Sequence, residues 1–398
     1  MRRIEYAGSV HDEQEVQAVL EVLRGGATAM RIGKHVRRME ELVAATFGKA
    51  RGVMCNSGSS GLYLAVELLG LPPGAEVITS ALTFSTDIAP LVRAGLVPVY
   101  VDVVPDTFQI DTDRIEAAIG PATRAILAPN LIGNCPDWDA IRTIADRHDL
   151  LVIEDSCDAL GATLRGTPTG TRSDFSVTSF ALSHIITAMG TGGMICMDQP
   201  ELIDRCLLLR RWGRRSEVAL FGSTRGDRRF FSELDGLVYD DLFIFDEVGW
   251  NFEPSEASAA FGAVQMAKLP ENLARRRANG TALTAIFAAH PDAFTPPRFT
   301  PEVESAWHMF PILVHPARVD RARLQRHLES HGVDTRMVWT GNVSRQPAFR
   351  NVPHRIAPGG LAGADLVMET GLVLPCNHAM DLNDCDYIGE VLADFLQA

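Results

Sequence analysis

The pattern of apolar and polar residues divides the chain into two parts. Between about residues 50 and 200, short apolar runs alternate with segments of helical spacing. Buried strands are predicted at 76–81, 96–103, 124–128 and 150–154, and helices at 113–119 and 137–148. Alternation of this kind predicts an α/β fold with a large, doubly wound and mostly parallel sheet.

A different pattern begins at Pro270. A helical pattern runs to about residue 290, followed by a proline-rich loop, a strand-like run at 309–314, and helices at 320–331 and 384–396. These elements predict a smaller α+β domain. We therefore expect a large domain over residues 1–268, with its first 15 or so residues packed on the small domain, and a small C-terminal domain over residues 269–398.

Composition narrows the functional class. The 398 residues are 46% hydrophobic and 22% charged, as in soluble globular enzymes. The net charge of −13 argues against a nucleic-acid-binding surface. No apolar run is long enough to span a membrane, and the first residues lack a signal-peptide core. We expect a cytoplasmic protein with no nucleic-acid and no membrane partner.

The seven cysteines contain no C-x-x-C pair. An odd number of widely spaced cysteines is typical of reduced thiols in a cytosolic protein. We expect no metal site.

A serine- and glycine-rich segment, residues 56–61, precedes a helical run at 62–69. Backbone N–H groups and hydroxyls at a helix N-terminus bind phosphate, so Ser57, Gly58 and Ser59 are candidate anion ligands. The alternative is that the segment only caps the helix.

Two further strand ends carry candidate ligand groups. Asp155 follows a buried apolar run, and ligands of open α/β sheets bind outside such strand ends. Its carboxylate could pair with a pyridine nitrogen or cap the next segment. Phe84, after another strand, could stack on a cofactor ring or be an ordinary core residue.

His184 follows the strand-like run 174–181 and precedes Gly192 and Gly193. The chain contains only three lysines, Lys34, Lys49 and Lys268, so the segment that carries these motifs has none. An imidazole can transfer protons, whereas a lysine amine can also bond covalently to an aldehyde. Alternatively, His184 is an ordinary structural histidine.

Taken together, from about residue 32 to 396, these motifs resemble the DegT/DnrJ/EryC1/StrS family of sugar aminotransferases. The resemblance implies the pyridoxal phosphate (PLP)-dependent transferase fold type I. It also implies that Ser57, Gly58, Ser59 and Ser179 bind the cofactor phosphate, that Phe84 stacks on its ring, and that Asp155 pairs with its pyridine nitrogen. Asp158 is a further implied cofactor contact. Asn251, in a Gly-Trp-Asn-Phe segment, would reach the phosphate of a neighbouring subunit, which implies a homodimer.

Within the family, histidine in place of the lysine is typical of the sugar 3-dehydratases, and His184 makes this chain resemble them. Residues 130–134, 154–161, 183–187 and 336–347 also resemble that subgroup, which implies that Asn130, Arg336 and Asn342 bind substrate. Residues 214–248 lack cysteine, so the chain resembles the subgroup without an iron–sulfur cluster, the GDP-4-keto-6-deoxymannose 3-dehydratases. Many relatives have a basic residue at the position of Glu253. This difference leaves the identity of the substrate undecided.

The resemblance implies a function. Glutamate would convert PLP to pyridoxamine phosphate (PMP), which would act on a nucleotide-linked 4-keto-6-deoxyhexose. His184 would serve as the base, the C3 hydroxyl would leave, and the amino group would be released as ammonia. Two alternatives remain: a 4-ketosugar aminotransferase-like enzyme with atypical chemistry, and a non-catalytic PLP-fold partner or sensor subunit.

Overall fold

A computed structural model describes residues 3–225 and 231–397. The strands are β1 (Arg51–Cys55), β2 (Glu76–Ser80), β3 (Val97–Val101), β4 (Val103–Val104), β5 (Gln109–Ile110), β6 (Thr123–Pro129), β7 (Leu151–Asp155), β8 (Thr163–Leu164), β9 (Thr167–Pro168), β10 (Phe175–Ser179), β11 (Gly193–Met197), β12 (Phe231–Leu234), β13 (Leu237–Asp240), β14 (Phe294–Thr295), β15 (Val303–Glu304), β16 (Phe310–Val314), β17 (Arg355–Ile356) and β18 (Gly371–Leu374).

The α-helices are α1 (Glu13–Arg24), α2 (Lys34–Phe47), α3 (Gly58–Leu68), α4 (Ser85–Arg93), α5 (Ile115–Ala118), α6 (Trp138–Arg147), α7 (Pro200–Arg210), α8 (Ser216–Phe221), α9 (Glu256–Ala288), α10 (Arg321–Ser330), α11 (Ala362–Thr370) and α12 (Leu382–Gln397). Among the described residues, no helix is both long enough and apolar enough to cross a membrane.

The central sheet has eight strands in the order β1–β11–β10–β7–β6–β2–β3–β17. Only β11 runs antiparallel to its neighbours, and the pairs from β10 to β17 are parallel. The strands are apolar on both faces because helices cover both sides of the sheet. The predicted α/β fold with a mostly parallel sheet is confirmed.

One predicted strand is divided. The run 96–103 forms β3 and the short β4, with Asp102 between them. The Asp102 carboxylate accepts hydrogen bonds from the backbone N–H groups of Gly363 and Ala364 at the start of α11, and it pairs with Arg114. An acidic residue with three partners outside the sheet interrupts the apolar run.

The C-terminal part contains the predicted smaller sheet. Strands β14, β16 and β18 form an antiparallel sheet, and buried residues of α10 and α12 join the same apolar core. That core extends into the central region through Leu82 and Tyr100, and β17 adds to the edge of the large sheet. The two parts are therefore packed together by a shared core.

Helix α9 links the two parts. It begins at Glu256, where the Ser255 hydroxyl accepts a hydrogen bond from the N–H of Ser258, and it continues through Pro270. The expected helix start at Pro270 is therefore wrong, because buried side chains on both sides of the proline hold one helix together. The boundary predicted at 268/269 lies inside α9, and the division into two domains stays a prediction.

The N-terminal residues contact both parts. Ile4 pairs with Val333 beyond α10, and the Tyr6 N–H donates to the Asp334 carboxylate. The following helix, α1, packs on α9, where Lys268 forms ion pairs with Asp12 and Glu15. This path brings the Tyr6 side chain to the carboxyl end of the central sheet.

Candidate active site

A cavity of about 710 Å³ opens at the carboxyl ends of the central strands. Its lining comes from the loops after β1, β2, β6, β7 and β10, from residues 336–346, and from Tyr6 and His308. Ten of the predicted site residues line it: Ser57, Gly58, Ser59, Phe84, Asn130, Asp155, Asp158, Ser179, His184 and Arg336. This is the position at which open α/β sheets bind ligands.

One end of the cavity, which we call the phosphate end, consists of Ser57, Gly58, Ser59 and Ser179. Ser57 caps α3, since its hydroxyl accepts a hydrogen bond of 3.1 Å from the N–H of Ser60. A side chain at Gly58 would place its Cβ 2.6 Å from the Cβ of Ser179, so glycine is needed for this close approach. The helix N-terminus and the hydroxyls face the same space, so capping and anion binding are compatible.

Asp155 ends β7 at the middle of the cavity. Its carboxylate accepts a 2.9 Å hydrogen bond from the N–H of Cys157. Burial raises its pKa, while hydrogen bonds from Cys157 and from Asp87 act against that rise. A buried carboxylate in this position gains a favourable partner when a protonated ring nitrogen approaches it.

A second carboxyl group, Asp87 on α4, lies next to Asp155 and is fully buried. Thr83 donates its hydroxyl proton to one Asp87 oxygen. Burial, followed by the negative charge of Asp155, raises the pKa of Asp87 well above its usual value. The Asp87 carboxyl therefore holds its proton more tightly than an exposed carboxyl does.

Phe84 precedes α4 and lines the cavity with half of its side chain exposed. An exposed aromatic ring inside a cavity offers a flat apolar face to a ligand. The alternative, that Phe84 is a buried core residue, is therefore wrong.

The opposite end of the cavity, which we call the histidine end, consists of Asp158, His184 and His308. The two imidazole rings stack with centroids 5.3 Å apart. The same oxygen of Asp158, Oδ1, lies 3.5 Å from Nδ1 of His184 and 3.5 Å from Nδ1 of His308. His184 keeps 16% of its side chain exposed, so it is held on one edge and open on the other.

The electrostatics of this cluster follow from burial. Burial lowers the pKa of His308 to about 4, so this imidazole is neutral near pH 7. Its Nε2 carries the proton, because that nitrogen donates a 2.6 Å hydrogen bond to the carbonyl of Ser183. Burial by itself would raise the pKa of Asp158, but the neighbouring imidazoles of His308 and His184 and the hydrogen bond from the N–H of Ile132 lower it below its usual value.

A strained loop holds the histidine end together. Ile132 adopts a φ of 60°, a left-handed conformation that β-branched residues rarely take. Its N–H donates to Asp158 at 3.0 Å, and its carbonyl accepts from the N–H of His308 at 2.9 Å. Backbone strain of this kind persists where the surrounding contacts require it. Here it fixes both partners of His184.

Three predicted site residues have side chains outside the cavity or turned away from it. Asn130 donates its amide to Glu154 and Ser156 and accepts from Trp138, so its side chain is fully occupied in a buried network. Asn342 is buried, bonded to Asp365 and to its own loop, and it does not line the cavity. A role of Asn130 or Asn342 in substrate binding stays a prediction.

Asn251 also lies outside the cavity of its own chain. Its backbone pairs with Arg211, and Arg211 forms an ion pair with Glu253 at 3.3 Å. The charge of Glu253 is thus neutralised by Arg211 of the same chain. A role of Asn251 in the site of a neighbouring subunit stays a prediction.

Sequence reasoning missed several residues in and beside the cavity, among them Tyr6, Asp87, His308 and Trp339. The guanidinium of Arg336 lies 4.9 Å from the Tyr6 ring, and Trp339 packs edge-on to His308. These residues come from segments that are far apart along the chain, and none belongs to a glycine-rich or strand-end motif. The acidic Asp87, in an otherwise neutral helix start, was the one visible signal.

No lysine lines the cavity. Lys49 bonds to Asp198 and to the carbonyl of Ser173, and Lys268 is paired with acidic residues near the N-terminus. Lys34 begins α2 and is also absent from the cavity lining. The amine of a Schiff-base lysine is therefore missing from this site, and His184 occupies the loop directly after β10.

The chain is similar to curated relatives over nearly its whole length. A dTDP-4-dehydro-2,6-dideoxy-D-glucose 3-dehydratase of Saccharopolyspora spinosa is 36% identical, over 98% of this chain and 86% of the relative. A GDP-4-keto-6-deoxy-D-mannose 3-dehydratase of Yersinia pseudotuberculosis is 32% identical, over 95% of each.

A solved structure has a similar fold. It is a GDP-4-keto-6-deoxymannose-3-dehydratase with a trapped PLP–glutamate geminal diamine, 29% identical, with a TM-score of 0.87 over 98% of this chain and 99% of that one. The model of the DegT/DnrJ/EryC1/StrS aminotransferase family matches residues 9–393. The chain belongs to this family, and the fold type and family expected from the motifs are confirmed.

Proposed function

We propose that this family member is a PLP/PMP-dependent sugar 3-dehydratase that removes the C3 hydroxyl of a nucleotide-linked 4-keto-6-deoxyhexose. Glutamate supplies the amino group and two electrons and leaves as 2-oxoglutarate, the amino group is released as ammonia, and a 3-deoxy-4-keto sugar is formed. The observation that carries this proposal is an imidazole, His184, in a cavity without a lysine.

The cavity fits the cofactor at three points. The N-terminus of α3 and the serines of the phosphate end offer N–H and O–H donors to a phosphate. Asp155 offers a carboxylate to a protonated pyridine nitrogen, and Phe84 offers a ring face. When bound, PLP supplies an electron sink for a carbanion at the carbon next to its ring.

His184 moves the proton in this proposal. Nδ1 faces Asp158 and is shielded from solvent, so Nε2 is the nitrogen on the open side of the ring. A carboxylate at Nδ1 favours a proton there and leaves Nε2 free to accept one. The same nitrogen can then donate that proton to the departing C3 hydroxyl.

The absence of a cavity lysine directs the outcome. A lysine amine would compete for the cofactor aldehyde and would transfer protons during amino-group exchange. An imidazole can do only the second of these tasks. A site with His184 therefore favours loss of the C3 hydroxyl, followed by release of ammonia, over formation of a stable amino sugar.

Arg336 is our candidate for the nucleotide end of the substrate. Among the described residues that line the cavity it supplies the one guanidinium, and it is exposed beside Tyr6. A guanidinium pairs with diphosphate oxygens through two parallel hydrogen bonds. The relatives act on sugars that carry dTDP or GDP, so the base of the nucleotide stays open.

We also propose a homodimer that shares residues between sites. Val238 on β13 is 80% exposed, Val248 is 97% exposed, and large apolar side chains such as Leu237 and Phe243 are exposed in the same stretch. This stretch leads directly to Asn251. Covering it with a second copy would bury apolar surface and bring Asn251 towards a neighbouring cavity.

The test uses purified protein with PLP, glutamate and a panel of GDP-, dTDP- and CDP-linked 4-keto-6-deoxyhexoses. The expected products are a sugar that has lost the C3 oxygen, 2-oxoglutarate and ammonia in equal amounts, measured by mass spectrometry and enzymatic assays. An amino sugar as the main product would favour an aminotransferase instead. Absence of 2-oxoglutarate in the presence of bound PLP would favour a non-catalytic subunit.

A further inference from the structure

The histidine end contains an arrangement that proton transfer alone does not explain. Nδ1 of His184 and Nδ1 of His308 are both buried and have no hydrogen-bond partner. Both face Oδ1 of Asp158 across 3.5 Å, which is too long for a strong hydrogen bond. The His308 side chain is 1% exposed, so it is shielded from bulk solvent.

The proton positions make the contact with His308 unfavourable. Nε2 of His308 carries the ring proton and donates it to Ser183. In the neutral tautomer that this hydrogen bond favours, Nδ1 has no proton and faces a carboxylate oxygen that is also an acceptor. Two acceptors that face each other in a buried site are stabilised when a cation lies between them.

Two of the three ligand-to-ligand distances are close to those of a tetrahedral metal site. Bonds of about 2.0–2.1 Å from a zinc ion to imidazole nitrogen and carboxylate oxygen place neighbouring ligand atoms about 3.3–3.4 Å apart. The two contacts with Asp158 measure 3.5 Å, and all three ligand atoms lie within 4.8 Å of one another. Small side-chain movements would bring them to ligand distances.

The surroundings also resemble those of a metal ligand set. His308 donates its second ring nitrogen to a backbone carbonyl, and the second oxygen of Asp158 accepts the N–H of Ile132. Contacts of this kind orient metal-binding imidazoles and carboxylates. All three side chains line the cavity, which leaves space for a fourth ligand such as water.

We propose that Asp158, His184 and His308 bind a divalent transition-metal ion such as Zn²⁺, and that this ion inhibits the enzyme. This proposal departs from the expectation of no metal site, and the ion it places there opposes catalysis. A metal on Nδ1 of His184 leaves the remaining ring proton on Nε2. That nitrogen then donates a proton but cannot accept one, so His184 is lost as a base.

The binding test uses Co²⁺ with the full-length, cofactor-free protein. Tetrahedral Co²⁺ has intense visible absorption, whereas octahedral Co²⁺ absorbs weakly. We expect one equivalent with a tetrahedral spectrum, displaced by Zn²⁺. His308→Gln keeps a donor for Ser183 but removes a ligand, and it should weaken binding by at least about 10-fold. His308→Ala serves the same purpose if the glutamine variant does not fold.

A surface cluster provides the matched control. The ligand atoms of His327 on α10, His331 directly after α10 and Asp394 on α12 also lie within 4.8 Å of one another. His331→Ala should leave the tetrahedral spectrum unchanged. The proposal is overturned if Co²⁺ shows only a weak octahedral spectrum, if His308→Gln binds as the wild type does, or if His331→Ala removes the signal.

Inhibition is the part that rests on the proposed function. Zn²⁺ at one equivalent should abolish sugar dehydration, and EDTA should restore it. The absorbance of PLP should show that the cofactor remains bound throughout. Co²⁺ binding is measured without cofactor or sugar, so it stands or fails independently of dehydration. Tight tetrahedral binding without any effect on dehydration would overturn the inhibitory role.

Discussion

The two ends of the cavity lie at the same edge of the sheet, but they are built in different ways. The phosphate end is mostly local: three of its four residues are consecutive, and Ser57 itself caps the helix that follows. The histidine end joins Asp158, His184 and His308 from three separate segments. The first end can bind an anion on any scaffold that places a helix there. The second depends on tertiary packing and determines the chemistry.

The largest effect is expected at the histidine end. His184→Asn keeps a similar volume but removes the base, and it should lower dehydration by on the order of 10²–10⁴-fold. PLP binding, measured by absorbance, should remain because the phosphate end is intact. His354→Asn is the control, since His354 packs on Tyr100 outside the cavity. Near wild-type dehydration by His184→Asn would remove His184 from the mechanism.

The companion substitution, His184→Lys, tests why the lysine is absent. A lysine amine at this position can form a covalent bond to the cofactor and also transfer protons. Borohydride reduction should then fix the cofactor on the peptide that spans residue 184, and the 4-keto sugar should yield amino product. The wild-type chain should give no such adduct on its three lysines.

A substitution of Asp155, in the middle of the cavity, should weaken cofactor binding by a smaller factor than a substitution of His184 lowers the rate of dehydration. Asp155→Asn removes a charged partner of the ring nitrogen, which is worth about 1.5–3 kcal/mol for a hydrogen bond to a charged group. We expect the Kd for PLP to rise by about 10- to 100-fold, measured by fluorescence titration. Asp106→Asn, an exposed residue paired with Arg298, should not change it. Unchanged affinity in Asp155→Asn would show that Asp155 does not contact the ring nitrogen.

The comparison of the two ends also explains what the sequence could predict. Ser57 and Gly58 precede a run of helical spacing, and Asp155 follows an apolar strand run, so local periodicity placed the first two at a helix start and Asp155 at a strand end. His308 lies next to Trp307 in an apolar segment, and no local pattern indicates that it stacks on a residue 124 positions earlier. Asn130 and Asn342 lie in polar loops, where periodicity does not say which way a side chain points. Their hydrogen-bond partners, Glu154 and Asp365, determine that.

A packing change should affect the phosphate end through stability. Gly58→Ala would place a methyl group 2.6 Å from the Cβ of Ser179 and 2.9 Å from the sulfur of Cys157. Overpacking of this kind typically costs 1–3 kcal/mol, so we expect a loss of about that size in the free energy of unfolding. Gly8→Ala, whose nearest contact is 3.8 Å away, is the control. Denaturant unfolding measures both, and equal stability of the two variants would contradict the close approach.

The smallest effect concerns the acid beside Asp155 and depends on pH. The pKa of Asp87 is raised above its ordinary value of 3.8, so the native chain holds this proton more tightly than the unfolded chain does. The resulting stability is complete below the unfolded pKa and is lost as the pH rises through the native pKa. Asp87→Asn keeps the shape and an N–H donor towards Asp155 but does not titrate. We measure the free energy of unfolding of the cofactor-free proteins with urea at a series of pH values. The value for the variant minus the value for the wild type should therefore increase with pH across this window. A difference that stays constant with pH would contradict a raised pKa of Asp87 in the native chain.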